Sequence, residues 1–107
     1  MPKSKPNRTS EAEISIAALN VARDRPDGRV STSYLKMTIP DHVKLTDEDW
    51  EESPTRKGEA LWQQIVGNII SHREVEGNII AEGYATYTGK GIEITDAGRA
   101  YLKKLGR

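Results

Sequence analysis

Between Arg56 and Arg73 the chain sets guanidinium, ammonium, amide and imidazole groups beside an apolar stripe. Leu61, Trp62, Ile65, Val66, Ile69 and Ile70 recur at helical spacing and predict a long helix over 57–72 with one buried face. Arg56, Lys57, Gln63, Gln64, Asn68, Ser71, His72 and Arg73 fall largely on its other faces. Arg and Lys match phosphates and guanine edges, while Asn and Gln match adenine. A helix enters a groove N-terminal residues first, which nominates Arg56, Lys57 and Gln63, then Gln64. A plain solvated face is the competing reading. Near the C-terminal end, Arg73 and protonated His72 also suit the negative pole of the helix, and Asn68 and Ser71 can satisfy backbone groups. Phosphate contact by Asn68, His72 and Arg73 therefore competes with a structural role.

Catalytic chemistry finds less to work with. Asp47 and Asp49 stand two apart, so on a helix they do not face one another as an acid/base pair. A lone histidine without a paired nucleophile makes no case for catalysis. There is no glycine-rich phosphate loop and no cysteine, so no thiolate metal site or disulfide scaffold is available. His42 and His72 are too far apart in sequence for a local metal pair. The expectation is a non-enzymatic protein that needs no cofactor and no metal.

Two further basic segments are candidates. Gly89-Lys90-Gly91 makes a turn between alternating runs at Tyr84–Thr88 and Ile92–Ile94, which predicts a hairpin over 84–94. Thr88 and Lys90 at its tip can reach a nucleic-acid backbone, although Glu82 and Glu93 lie nearby. Residues 1–9 read as a flexible arm, and Lys3, Lys5 and Arg8 can serve either a neighbouring groove or solubility alone.

The elements that position these groups follow from local signals. Ser10 and Glu13 form a capping box, and Ile14, Ala17, Ala18, Val21 and Ala22 give one apolar face to a helix over 10–24. Pro26 and Asp27-Gly28 stop it. Arg29-Val30 suits a very short strand. Ser31 or Thr32 then caps a second helix with Tyr34, Leu35, Met37 and Ile39 inward, and Pro40 either ends it or starts a new turn. Thr46 and Asp49 repeat the capping pattern ahead of a short acidic turn that Pro54 closes. Trp50, set among acids, is expected to plug the core. Thr95 caps a last helix from Asp96, and Gly106 stops it.

A chain of 107 residues is one domain on size grounds, expected over 10–107. Its formal charge is zero, but the charges are segregated. Residues 41–52 hold Asp41, Asp47, Glu48, Asp49, Glu51 and Glu52 against Lys44, and 99–107 carry Arg99, Lys103, Lys104 and Arg107 without an acid. The acidic stretch is expected to be solvated surface. No apolar run suits a membrane span and the first ten residues lack the apolar middle of a secretory signal, so the default location is cytoplasmic.

The fold class expected is mostly α with a small β-hairpin: a winged helix-turn-helix, with a helical core and a two- or three-stranded wing sheet. Residues 57–72 take the recognition position and 84–94 the wing. Three stretches carry a resemblance: Leu45-Thr46 with Asp49; Trp62 to Val66 running into Asn68-Ile69-Ile70-Ser71-His72-Arg73; and Ile94-Thr95 with Gly98-Arg99 and Leu102. On these the chain resembles the N-terminal winged-helix domain of Mrr-type restriction proteins and their short bacterial relatives. That resemblance implies binding of double-stranded DNA, as a transcriptional regulator or as the targeting module of a restriction-type system. The alternative is a protein-protein adaptor that uses the same fold without nucleic acid, docking a partner through the acidic segment or a tryptophan-bearing surface. A homodimer through the small-residue face of helix 10–24 also stays open.

Overall fold

The computed structural model describes residues 9–107. Four helices and a small three-stranded antiparallel sheet enclose one apolar core. The central helix α1 (Glu11–Asp24) begins at the expected capping box: Ser10 Oγ accepts from the Glu13 N–H at 3.1 Å, and Glu13 Oε1 accepts from the Ser10 N–H at 3.3 Å. It buries Ile14, Ala17, Ala18, Leu19, Val21 and Ala22. Arg25, ahead of Pro26, turns extended and ends the helix. Gly28 then takes φ +71°, and Asp27 Oδ1 accepts from the Arg29 N–H at 3.0 Å. The chain leaves this turn directly into β1 (Arg29–Ser31).

Ser31 caps α2 (Thr32–Thr38), accepting from the Tyr34 N–H at 3.0 Å. With only two turns, this helix turns one narrow stripe inward, and Leu35 and Ile39 occupy it. Tyr34 and Met37, expected inside, are exposed, Met37 by 70%. A 3₁₀ turn, Ile39–Asp41, follows directly, with Pro40 as its second residue. A second 3₁₀ turn, Glu48–Trp50, follows the Thr46 signal.

Two residues of that acidic segment exchange the roles expected of them. Asp49 is fully buried, whereas Trp50 is 55% exposed. The reason is local: Asp49 Oδ1 accepts from the Thr9 N–H at 2.8 Å, and Oδ2 accepts from the Thr9 hydroxyl at 2.6 Å and the Thr46 N–H at 2.8 Å. Three donors hold the carboxylate inside and turn its neighbour outward. Thr9, assigned from sequence to the basic arm, is thereby buried too. The core tryptophan is Trp62, and Trp50 lies edge-on to it with ring centroids 5.6 Å apart.

The helix α3 (Leu61–Ser71) begins later than its periodicity suggests. Gly58 takes φ +83°, and a Glu52–Ala60 bridge holds the preceding residues out of the helix. Arg56 and Lys57, nominated as its first turn, therefore sit in a loop. Trp62, Val66 and Ile69 bury its inner face against α1 and α2.

Beyond α3, β2 (Ala85–Tyr87) and β3 (Gly91–Ile94) form the expected hairpin. β3 is the middle strand, with β1 along its other edge in the order β1-β3-β2. The pairs Val30–Ile92 and Ala85–Ile94 face the helices, while Arg29, Thr86 and Glu93 share the outer face. Gly91 is demanded by this packing, because a Cβ there would collide with the Val30 carbonyl oxygen. α4 (Asp96–Lys104) is capped by Thr95, whose hydroxyl accepts from the Gly98 N–H at 3.0 Å. It buries Leu102, and Gly106 at φ +79° terminates it with the Gly106 and Arg107 N–H groups returning to Lys103 and Leu102. Among the described residues no helix is long and apolar enough to cross a membrane.

Candidate functional site

The polar face of α3 is largely occupied by the protein itself. Gln63 Oε1 accepts from the Ala60 N–H at 2.9 Å, supplying an acceptor that the alanine at the cap lacks. Its amide donates to the Lys36 carbonyl at 3.1 Å, tying α3 to α2. Gln64 Oε1 accepts from the hydroxyl of buried Ser53, which in turn accepts from the N–H groups of Thr55 and Arg56. The loop before α3 is thus laid along the helix. The Arg56 guanidinium covers Gly67, lying 3.6 Å from where a Cβ would stand, and sits 3.9 Å from Glu59. A Cβ at Gly67 would meet that guanidinium at ordinary van der Waals distance, so packing does not demand the mid-helix glycine. Glu59 also pairs with Lys36 at 2.7 Å. Of the expected groove-reading residues here, exposed Lys57 and half-buried Asn68 make no side-chain hydrogen bond or ion pair among the described residues.

The end of α3 is tied down as well. His72 Nδ1 lies 3.1 Å from Glu11 Oε1, joining the last turn of α3 to the first turn of α1. Arg73 donates to the Ile70 carbonyl at 2.9 Å and stacks on Tyr87 with 4.6 Å from its guanidinium carbon to the ring centre. Both nevertheless keep accessible surface. A shallow groove of about 290 Å³ runs past His72 and Glu11 to the stacked rings of Tyr84 and Tyr101, whose centroids are 4.2 Å apart.

At the hairpin tip, cations from three segments meet. Arg25 from the turn after α1, Arg29 from β1 and Lys90 from the tip line an open groove of about 490 Å³ with Ser31, Tyr34 and Thr88. The hairpin is anchored there by the Thr32 N–H, which donates to the Lys90 carbonyl at 2.9 Å. Thr88 Oγ1 accepts from the Gly91 N–H at 3.1 Å and shapes the tip. The Arg25 guanidinium lies over the Tyr34 ring at 4.9 Å, and Arg29 Nε pairs with Glu93 at 3.0 Å.

Sequence reasoning named Thr88 and Lys90 but missed Arg25, Arg29 and Tyr34. The local signal was two arginines flanking a Pro-Asp-Gly turn. Only the pairing of Ser31 with Gly91 brings that turn to Lys90. Lys3, Lys5 and Arg8 lie outside the described residues. Among the described residues no cluster of three or more histidine or carboxylate side chains is arranged to hold a metal ion.

No protein-family model matches the chain, and neither does any curated protein or solved structure.

Proposed function

We propose that this protein is a non-catalytic winged helix that binds double-stranded DNA, gripping it chiefly by the phosphate backbone. The element order supports the fold assignment: helix, strand, helix, two short turns, helix, hairpin, helix, with the first strand on the far edge of the hairpin. That is an argument from architecture, and many functions share one architecture. The observation that carries the functional reading is the convergence of Arg25, Arg29 and Lys90 at the hairpin tip of a chain with zero net charge. A local concentration of cations on a neutral protein is what phosphate contact needs.

This reading shifts weight away from base recognition by α3. Gln63 and Gln64 have intramolecular partners, so an amide bidentate to adenine would first have to give them up. Backbone contacts position a protein on DNA without carrying sequence information. Kinship with the Mrr-type N-terminal domain, resting on Asn68 to Arg73 and the closing Thr95-x-x-Gly98, would make the protein a targeting module or a regulator working in the cytoplasm beside the chromosome.

A second reading has its own observation. Met37 at 70% and Trp50 at 55% exposure are large apolar groups open to solvent, which suits a protein-docking adaptor. Fluorescence anisotropy with a labelled random-sequence duplex at two salt concentrations separates the two. DNA binding predicts micromolar-range affinity that weakens steeply with salt. No binding at low salt would favour the adaptor.

A further inference from the structure

We propose that the groove between the α1–β1 turn and the hairpin tip seats a phosphate group, and that Glu93 is the internal counter-ion this phosphate displaces from Arg29. That the phosphate comes from a DNA backbone rests on the reading above.

The geometry is that of a built site with its charge only partly matched. Of Arg25, Arg29 and Lys90, only Arg29 pairs with a carboxylate among the described residues, that of Glu93. Glu93 engages Arg29 through Nε alone, and the two terminal nitrogens of Arg29 have no partner among the described residues. A guanidinium keeps its planar donor fork for a tetrahedral oxyanion in that arrangement. Arg25 is held by stacking on Tyr34, and Lys90 springs from a backbone anchored to Thr32, so two of the three cations start from fixed points. The hydroxyls of Ser31 and Thr88 each accept a backbone N–H, from Tyr34 and Gly91, which leaves each hydroxyl hydrogen to donate outward. The groove, at about 490 Å³, is open and larger than a phosphate group. Three cations against one carboxylate leave an excess of positive charge that a phosphodiester, with one negative charge and two unesterified oxygens, can offset.

The Arg29–Glu93 pair gives the proposal a distinctive consequence. Its side chains are 61% and 39% exposed, so it adds little to stability. Removing the carboxylate should therefore improve binding, an outcome that a merely structural role for Glu93 does not produce.

The test uses the full chain and a labelled random-sequence duplex in anisotropy titrations across a salt series, with Glu93→Gln, the pair Arg25→Gln/Lys90→Gln, and Lys103→Gln/Lys104→Gln as an equal charge change elsewhere. A parallel arm follows the backbone amides of Ser31 and Lys90 by NMR as inorganic phosphate is added. We expect Glu93→Gln to tighten duplex binding about three- to fivefold at low salt by removing one like charge. Arg25→Gln/Lys90→Gln should flatten the slope of log affinity against log salt by about 1.8, and the α4 pair should change it much less. Duplex binding by all variants equal to that of the parent would overturn the groove assignment while leaving the DNA reading intact. Phosphate-dependent shifts at Ser31 and Lys90 without duplex binding would overturn the DNA reading and assign the site to a free phosphorylated molecule. Absence of both responses would overturn both.

Discussion

Replacing Asp49 with Asn removes one oxygen from a fully buried carboxylate that serves three donors. If the remaining oxygen takes the Oδ2 position, it keeps the Thr9 hydroxyl and the Thr46 N–H, now as neutral bonds. The new NH₂ then meets the Thr9 N–H, donor against donor. A lost bond to a charged group is worth about 1.5–3 kcal/mol, and weakening the other two brings the expected cost of Asp49→Asn to about 2–4 kcal/mol. For a domain of this size that lowers Tm by roughly 10–20 °C. The pH dependence adds a second readout. Burial by itself raises the Asp49 pKa, but the hydrogen bonds from Thr9 and Thr46 outweigh it and hold the group below its ordinary value. A depressed folded pKa means stabilisation that is complete above the unfolded value and is lost as pH falls through the folded one. Thermal melts of parent and Asp49→Asn should therefore lie far apart at neutral pH and converge in strong acid. A difference below about 0.5 kcal/mol at neutral pH, well under the range for one charged hydrogen bond, would refute the reasoning. A gap that stayed constant down to strong acid would refute it as well.

Other perturbations follow from the same contacts. Gly91→Ala sets a Cβ against the Val30 carbonyl and the Ser31 Cα, so urea unfolding should show a loss above about 3 kcal/mol, or the chain should fail to fold. Gln63→Ala removes both the acceptor for Ala60 and the donor to Lys36, costing about 1–2 kcal/mol by chemical denaturation. It should leave the sequence preference in a binding-site selection unchanged, because the amide faces its own protein. Trp50→Ala should cost about 1–2.5 kcal/mol, the edge-to-face pair plus the covered part of the ring. Trp62→Ala should cost about 3–5 kcal/mol in the same denaturation assay.

The elements read most directly from sequence are those whose signals are local and redundant. α1 combines a reciprocal cap, an apolar stripe and a Pro-Gly stop, and its limits emerge as expected. The hairpin and α4 likewise carry their own turn and cap residues. α3 was legible as a helix but not in its start, because Gly58 and the Ser53 hydroxyl hold the preceding loop against it instead of extending it. Periodicity cannot distinguish a first helical turn from a loop laid along the same face. Asp49 and Trp50 were misassigned because side-chain type predicts burial only until a set of donors outweighs it, and one of those partners, Thr9, lies far away in the chain. The candidate groove was the least legible feature. Lys90 was visible as a hairpin tip, whereas Arg25 and Arg29 join it only through the register of β1 on β3.

The central claim is that duplex DNA meets this protein at the hairpin tip and the α1–β1 turn. The most direct measurement is an NMR titration of the isotope-labelled chain with a short random-sequence duplex, following every backbone amide. Our account predicts shifts concentrated at residues 25–34 and 88–91, fading as salt is raised. Shifts confined to the surface around Met37 and Trp50, or none at all at low salt, would contradict it.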